Sequence, residues 1–373
     1  MFENATPEKA IEFTRLCVTL NCCWPLPPTA TRLQVLRFNL QRVVTVLSVL
    51  TLFVPLVYSI YVNWNNMIIL TKVVCFIDAF SQILIQTLFS VLHHDRTQRL
   101  VQQMTEYCAN AKSYERSILQ QYVDKYSMFY GTAATWFYST TIIFVVGTLF
   151  ISQPFPVDAE YPFPVDYEPL RTTIFLHHCY VGLQCAAIVC TNVFAALLLL
   201  FAAARFEILM VEFRAVRDVE TLRQCVRKYY RVRSYAKEVV NVIQYTAICT
   251  TLIATLPLVF CGLNIIGRQP PLVKVQFAVM AGTALLEVFM CAWPADNLME
   301  VSEKAVRSFY ESTWYDDSMA LQRNLVMSLL PQRPITISLA CFIPVMSLKY
   351  YCSYVSNAFS LFTALRLALN HDG

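Results

Sequence analysis

Seven stretches of this chain stay apolar over lengths that match or exceed the roughly 20 residues a helix needs to cross a bilayer: 38–62, 68–92, 128–151, 174–204, 240–266, 272–298 and 335–366. No soluble domain of this size can enclose so much apolar surface. Hydrophobic residues make up 57% of the 373 residues and charged residues 14%, against about 45–50% and about 25% in ordinary globular chains. The expected class is therefore all-α: a polytopic membrane protein with seven transmembrane helices. Isolated polar residues inside the stretches, and Pro344 inside the last, call for helices packed against one another.

Orientation follows from where the basic residues fall, because short cytoplasmic segments retain Lys and Arg. Twenty-two lie in 1–37, 93–127, 205–239 and 299–334, and two, Arg171 and Arg268, lie in the alternate connections. This places the N-terminus in the cytoplasm and, after seven crossings, the C-terminus outside. G-protein-coupled receptors have the opposite orientation. The single glycosylation sequon, Asn4-Ala5-Thr6, would then be cytosolic and unused.

The expected organisation is a cytoplasmic N-terminal segment (1–37), six membrane helices with cytoplasmic extensions at 93–127 and 205–239 (38–298), a cytoplasmic subunit-contact segment (299–334), and a last helix with a short extracellular tail (335–373). Segment 205–239 repeats Leu209, Phe213, Val216, Val219, Leu222, Val226 and Tyr229 or Tyr230 every three or four residues without Pro or Gly, so helices four to six should extend into the cytosol, where subunits could meet. Segment 152–173 holds five prolines with Asp158, Glu160, Asp166 and Glu168. It reads as an extended outer lid, either a solvated connector or a negative collar that concentrates cations.

Enzyme chemistry finds little support. His93-His94-Asp95 and His177-His178-Cys179 are the His-rich spots, and adjacent helical positions point about 100° apart, so neither doublet clamps a metal by itself. No phosphate-loop, nucleophile-elbow or HExxH motif occurs, and seven glycines make a phosphate cradle improbable. No cofactor, metal or nucleic-acid partner is expected, and the fourteen cysteines, without a CxxC pair, read as small buried hydrophobes. Charges inside the spans are costly and usually functional. Asp78, Glu287 and Lys349 are the candidates, and the two carboxylates support an alternative reading, an ion- or proton-coupled transporter. That reading lacks the inverted repeat and paired broken helices such proteins show.

The last helix carries Lys349, Ser353, Ser356, Ser360 and Thr363 at intervals of four, three, four and three. Such a stripe suits either close helix packing or the wall of a water-filled pore that closes by dewetting where the stripe turns aliphatic, near Ala364 to Ala368.

These residues are also where the chain resembles insect odorant receptors. Ala358-Phe359-Ser360-Leu361-Phe362-Thr363-Ala364-Leu365 is similar to that family's aromatic-rich C-terminal signature, with Leu361 standing where an aromatic is usual. Cys291-Ala292-Trp293 through Glu303, then Phe309-Tyr310-Glu311-Ser312-Thr313-Trp314-Tyr315, resembles its sixth-helix end and the element that follows, and Tyr161 to Pro164 resembles its second outer loop. The run typical of gustatory relatives is absent. The resemblance implies a tuning subunit that binds a small volatile odorant and gates a non-selective cation channel. That channel is a heterotetramer with the shared co-receptor, in the plasma membrane of an olfactory neuron.

It further implies that the last helix lines the pore, with Ser353, Ser356, Ser360 and Thr363 on the wall and Ala364 and Ala368 at the constriction. These alanines are smaller than the branched residues expected there, so partner subunits would supply most of the seal. The odorant pocket would lie in the outer half, among spans two to six. The aromatic and mildly polar residues available there are Phe76 and Phe80, one turn apart; Phe137, Thr141 and Phe144 on one helical face; Tyr180; and Phe277 with Met280. A volatile offers few hydrogen bonds, so shape and apolar contact must provide selectivity.

Overall fold

The computed structural model describes residues 5–148, 154–216, 218–267, 270–308, 333–338 and 343–371. The helices, in chain order, are α1 (Pro7–Val18), α2 (Arg32–Val62), α3 (Met67–Leu92), α4 (His94–Asn110), α5 (Ser113–Gly147), α6 (Leu170–Val189), α7 (Thr191–Arg214), α8 (Val219–Ile266), α9 (Pro271–Arg307) and α10 (Leu348–His371). No β-strand occurs among the described residues. Among the described residues, six helical segments are long and apolar enough to cross a membrane: α2, α3, α5, the α6–α7 rod, α8 and α9.

Helix α2 is apolar on its outer face as well as its inner one, where Val49, Leu52 and Leu56 are fully buried. On α2, Leu36, Leu40, Leu47, Leu50, Val54, Val57 and Tyr61 recur at helical spacing and are all exposed, while Arg42, Thr45 and Ser59 face inward and are buried. An apolar stripe left outside with polar groups gathered inside suits a hydrocarbon solvent. The multi-pass membrane class follows from this face as well as from hydropathy.

At the centre stands α7, packed by α1, α4, α5, α8 and α9. From Thr191 to Ala204 every residue but Leu197 is buried, as expected for a helix hydrophobic on all sides. The stretch 174–204 reads as continuous in sequence, yet the rod breaks at Cys190. Thr191 explains it: its hydroxyl lies 2.6 Å from the Ile188 carbonyl and 2.5 Å from Gln86 Oε1, so a side chain intrudes on the backbone ladder.

Helix α8 has 48 residues, about 72 Å at 1.5 Å per residue, more than twice the about 30 Å hydrocarbon core. Helices α5, α7, α8 and α9 all outrun their apolar stretches. Asp218 caps α8 by accepting from Thr221 N at 2.8 Å, and hydrogen bonds from the Thr221 hydroxyl and amide hold its carboxyl below the usual carboxylate range. Leu209, Phe213, Val216, Leu222 and Tyr229 are buried, so the amphipathic stripe of 205–239 is used within the chain. The face left for a partner is the charged one.

The N-terminal segment contains structure the sequence did not announce. Helix α1, capped by Thr6 with Pro7 in its first turn, packs against α4, α5, α6 and α7. Tyr138 donates to Cys17 O at 2.7 Å and Asn21 to Gln184 O at 2.6 Å, so residues beyond α1 dip among the helices.

The proline-rich connection is packed rather than extended. Phe155, Val157 and Ala159 are buried, Ser59 donates to Asp158 O at 2.9 Å, and Lys72 sits 3.7 Å from the Asp158 carboxylate. Burying three small or apolar residues and neutralising Asp158 turns an expected lid into a plug on α2 and α3. The last apolar stretch also differs from expectation. Residues 333–338 are non-helical, with Ile335 and Ile337 buried, and the helix begins only at Leu348. Pro334 and Pro344 lack the amide a helix interior requires.

Candidate functional site

Helix α10 lies against α8 and α9. Its first turn is held by Asp296 of α9, which accepts from Leu348 N at 3.3 Å, a carboxylate where the helix exposes unpaired amides. Lower down, Tyr354 OH lies 3.4 Å from the Thr255 hydroxyl. Phe362 covers Gly262 so closely that a Cβ there would come within 3.0 Å of its ring. Tyr354, Ala358 and Phe362 are buried by these contacts.

The opposite face bears the polar stripe. Ser353, Ser356, Ser360, Thr363 and Ala364 are all exposed. Three hydroxyls are satisfied on their own helix: Ser353 donates to Lys349 O, Ser360 to Ser356 O and Thr363 to Phe359 O, at 2.8–3.1 Å. Their remaining lone pairs, and the Ser356 hydroxyl, face outward where water can meet them. Ala368 falls in α10, but its side chain lies outside the described residues, as does the whole segment Phe309 to Tyr315.

The eight expected pocket residues occupy α3, α5, α6 and α9. Phe76 and Phe80 stack with ring centroids 6.1 Å apart, and Phe80, Phe137 and Phe277 are buried. Thr141 donates to Phe137 O at 3.2 Å and lies 3.4 Å from Gly182 O, knitting α5 to α6. Gly182 is needed there, since a Cβ would meet Thr141 Cγ2 at 3.1 Å. Phe144, Tyr180 and Met280 are half-buried. A cavity of about 380 Å³ opens elsewhere, between α1, α4, α5 and α7, and none of the eight lines it.

Sequence reasoning missed a polar seam running between α3, α7, α8 and α9. Gln82 donates to Glu287 Oε2 at 3.1 Å. Gln86 donates to Thr250 Oγ1 at 3.3 Å, and Thr250 donates to Asn192 Oδ1 at 3.1 Å. The Cys291 thiol reaches the same Asn192 oxygen at 3.3 Å. Burial in apolar surroundings makes each partner costly to remove. The signal was legible: Asp78, Gln82 and Gln86 fall every fourth residue and so share one face of an apolar helix.

The histidine doublets are held by the scaffold. His93 stacks on Tyr245 at 5.2 Å, the His94 ring nitrogen lies 3.4 Å from Arg42, and His177 lies 3.0 Å from Ser48 O. Burial pushes the Tyr161 phenol up to about 12. Its hydroxyl shares a hydrogen bond with His178 Nε2 at 2.9 Å, tying the proline-rich connection to α6. Among the described residues no group of three or more metal-binding side chains assembles.

Comparison with known proteins places this architecture. Two solved structures of the insect olfactory receptor OR5 from Machilis hrabei superpose on it. One, in complex with eugenol, gives a TM-score of 0.78 at 13% identity, covering 97% of this chain and 98% of that one. The other gives 0.77 at 13% identity, covering 96% and 97%. At that identity the likeness is one of fold. No match is found among curated protein sequences. The family model for the 7tm odorant receptors matches residues 66–359, from the start of α3 to the Phe359 turn of α10. This chain belongs to the 7tm odorant receptor family.

Proposed function

We propose that the chain is an odorant-binding subunit of a ligand-gated, non-selective cation channel. It would assemble with the family's co-receptor as a heterotetramer in the plasma membrane of an olfactory sensory neuron. In this reading α2, α3, α5, α6–α7, α8, α9 and α10 make seven crossings, with the N-terminus cytoplasmic and segment 299–334 among the subunit contacts. The observation that carries it is the outward face of α10, where Ser353, Ser356, Ser360 and Thr363 stand exposed while Tyr354, Ala358 and Phe362 bind the helix to its own bundle. One such face from each of four subunits would enclose a hydrated conduit, narrowing at Ala364 and Ala368.

The odorant is proposed to sit among Phe76, Phe80, Phe137, Thr141, Phe144, Tyr180, Phe277 and Met280. Eugenol, held by the solved olfactory receptor, is a small aromatic volatile of the kind such side chains suit. Opening requires the ligand to bind the open state more tightly than the closed one, since equal affinity shifts nothing. The test is expression of the chain alone and with the co-receptor, recording odour-evoked cation current over a broad volatile panel. Current from the pair supports the proposal, and a silent pair that reaches the cell surface refutes it. Substrate uptake that depends on Asp78 or Glu287, with no current, would instead favour the transporter reading.

A further inference from the structure

The cavity between α1, α4, α5 and α7 serves none of the roles assigned above. Its volume of about 380 Å³ falls within the about 300–1,000 Å³ usual for small-molecule sites. Its walls include Phe13 and Leu16 of α1, Tyr122 and Tyr130 of α5, and Leu197 and Phe201 of α7.

Four of the hydroxyls along these walls are already engaged, and Ser127 and the Cys108 thiol also line the cavity. Tyr122 OH donates to Glu207 at 2.8 Å, Tyr126 OH to Asn297 at 3.1 Å, Tyr130 OH to Met290 O at 3.3 Å, and Thr14 to Ala10 O at 2.8 Å. The remaining walls are mainly aliphatic and aromatic carbon, so a largely hydrocarbon occupant fits them best. The cavity reaches the surface at Leu16, which is 62% exposed. Its walls come from the ends of two apolar stretches, near Gly131 and near Ala204. On the orientation proposed above, on which this inference rests, that is the level at which acyl chains meet headgroups, on the side of the Lys- and Arg-rich segments. Lys9 stands at the rim, and the Lys125 ammonium lies 5.0 Å from the ring of Tyr126, another wall residue.

We propose that this cavity holds an acyl chain of a phospholipid from that leaflet, with the lipid phosphate beside Lys9 and drawn also by Lys125 on the neighbouring turn of α5. Helix α1 then acts as the outer wall of a lipid site, and α7, which it shares with the bundle core, forms the inner wall.

Trp293 provides a reporter, since its ring lies 4.9 Å from Tyr126 and 6.5 Å from Tyr130, directly behind the cavity wall. The full chain would be placed in bilayer nanodiscs of phosphatidylglycerol brominated in mid-chain. The quenching lost on Trp293→Phe isolates the signal of that ring. Ala10→Phe and Leu119→Phe fill the cavity from opposite walls, and each should reduce the Trp293 quenching at least twofold while circular dichroism is unchanged. Lys9→Gln with Lys125→Gln should abolish any preference for brominated phosphatidylglycerol over brominated phosphatidylcholine. Unchanged quenching in folded, filled-cavity variants would overturn the proposal, and so would equal displacement of the signal by a plain long-chain alkane. Native mass spectrometry of the wild-type chain should find at least one retained phospholipid; none retained would also overturn it.

Discussion

A tight contact between α10 and α8 can be tested with one methyl group. In Gly262→Ala the new Cβ would lie 3.0 Å from Cδ2, 3.3 Å from Cγ and 3.6 Å from Cε2 of Phe362. Turning the ring about Cβ–Cγ leaves Cγ in place, so relief takes a change of χ1 at Phe362 or a few tenths of an ångström of movement of α10. Overpacking of this kind costs about 1–3 kcal/mol, while Ala in place of Gly within a helix gains about 1 kcal/mol. The single variant should therefore range from neutral to about 2 kcal/mol less stable. In a Phe362→Ala background the obstruction goes and the helical gain remains, so there the same change should stabilise by about 1 kcal/mol. A double-mutant cycle of unfolding in mixed detergent micelles measures the difference, expected at about 1–3 kcal/mol. Because α10 is the proposed pore helix, the odorant concentration for half-maximal current should shift in Gly262→Ala and return toward wild type in the double variant. Coupling below about 0.5 kcal/mol, the level of simple additivity, would refute the geometry on which this rests.

Glu287→Leu should strand the buried Gln82 amide at a cost of about 1–3 kcal/mol, whereas Glu287→Gln keeps an acceptor in place; equal loss of the folded peak in gel filtration for both variants contradicts the seam. Asp296→Ala removes the acceptor for Leu348 N and should cost about 0.5–2 kcal/mol, as losing a cap does, seen as faster hydrogen exchange over the first turn of α10; unchanged exchange there argues against the cap. Although burial pushes the Glu8 carboxyl upward, bonds from its own backbone, Thr6 and Arg116 outweigh it and hold it below 4.5. A lowered carboxylate stabilises above its unfolded pKa and loses that contribution as pH falls through the folded value. The stability difference between wild type and Arg116→Gln should thus be present at neutral pH and vanish well below pH 4.5, and a difference that persists in acid would contradict it. For the pore proposal, Ser360→Cys co-expressed with the co-receptor should react with a charged thiol reagent faster during odour application, and buried Phe362→Cys should not; identical rates would remove α10 from the pore wall.

Much of this architecture could be read in advance because bilayer chemistry acts on runs of residues. Six apolar stretches became helices since each is long enough to satisfy its backbone alone, and the α10 stripe kept its polar face because a spacing of three and four is one side of any helix. The misses share another cause. The break at Cys190 arises from one hydroxyl, Thr191, meeting Gln86 of a different helix. The packed connection at 154–169 depends on Asp158 finding Lys72 and on Tyr161 finding His178. Helix α1 is only 12 residues long, too short to be stable alone, and is ordered by the groove it enters.

What the amino-acid order determined by itself was the solvent: apolar runs of bilayer length, basic residues gathered between alternate pairs of them, and a last helix wettable on one side. Those properties are local or additive, so no partner is needed to read them. Tertiary structure decided which helix stands at the centre, which polar residues meet in the seam, where a cavity remains and which face of α10 is left uncovered. Each of these depends on contacts between residues far apart in the chain, made only once every neighbouring helix is in place.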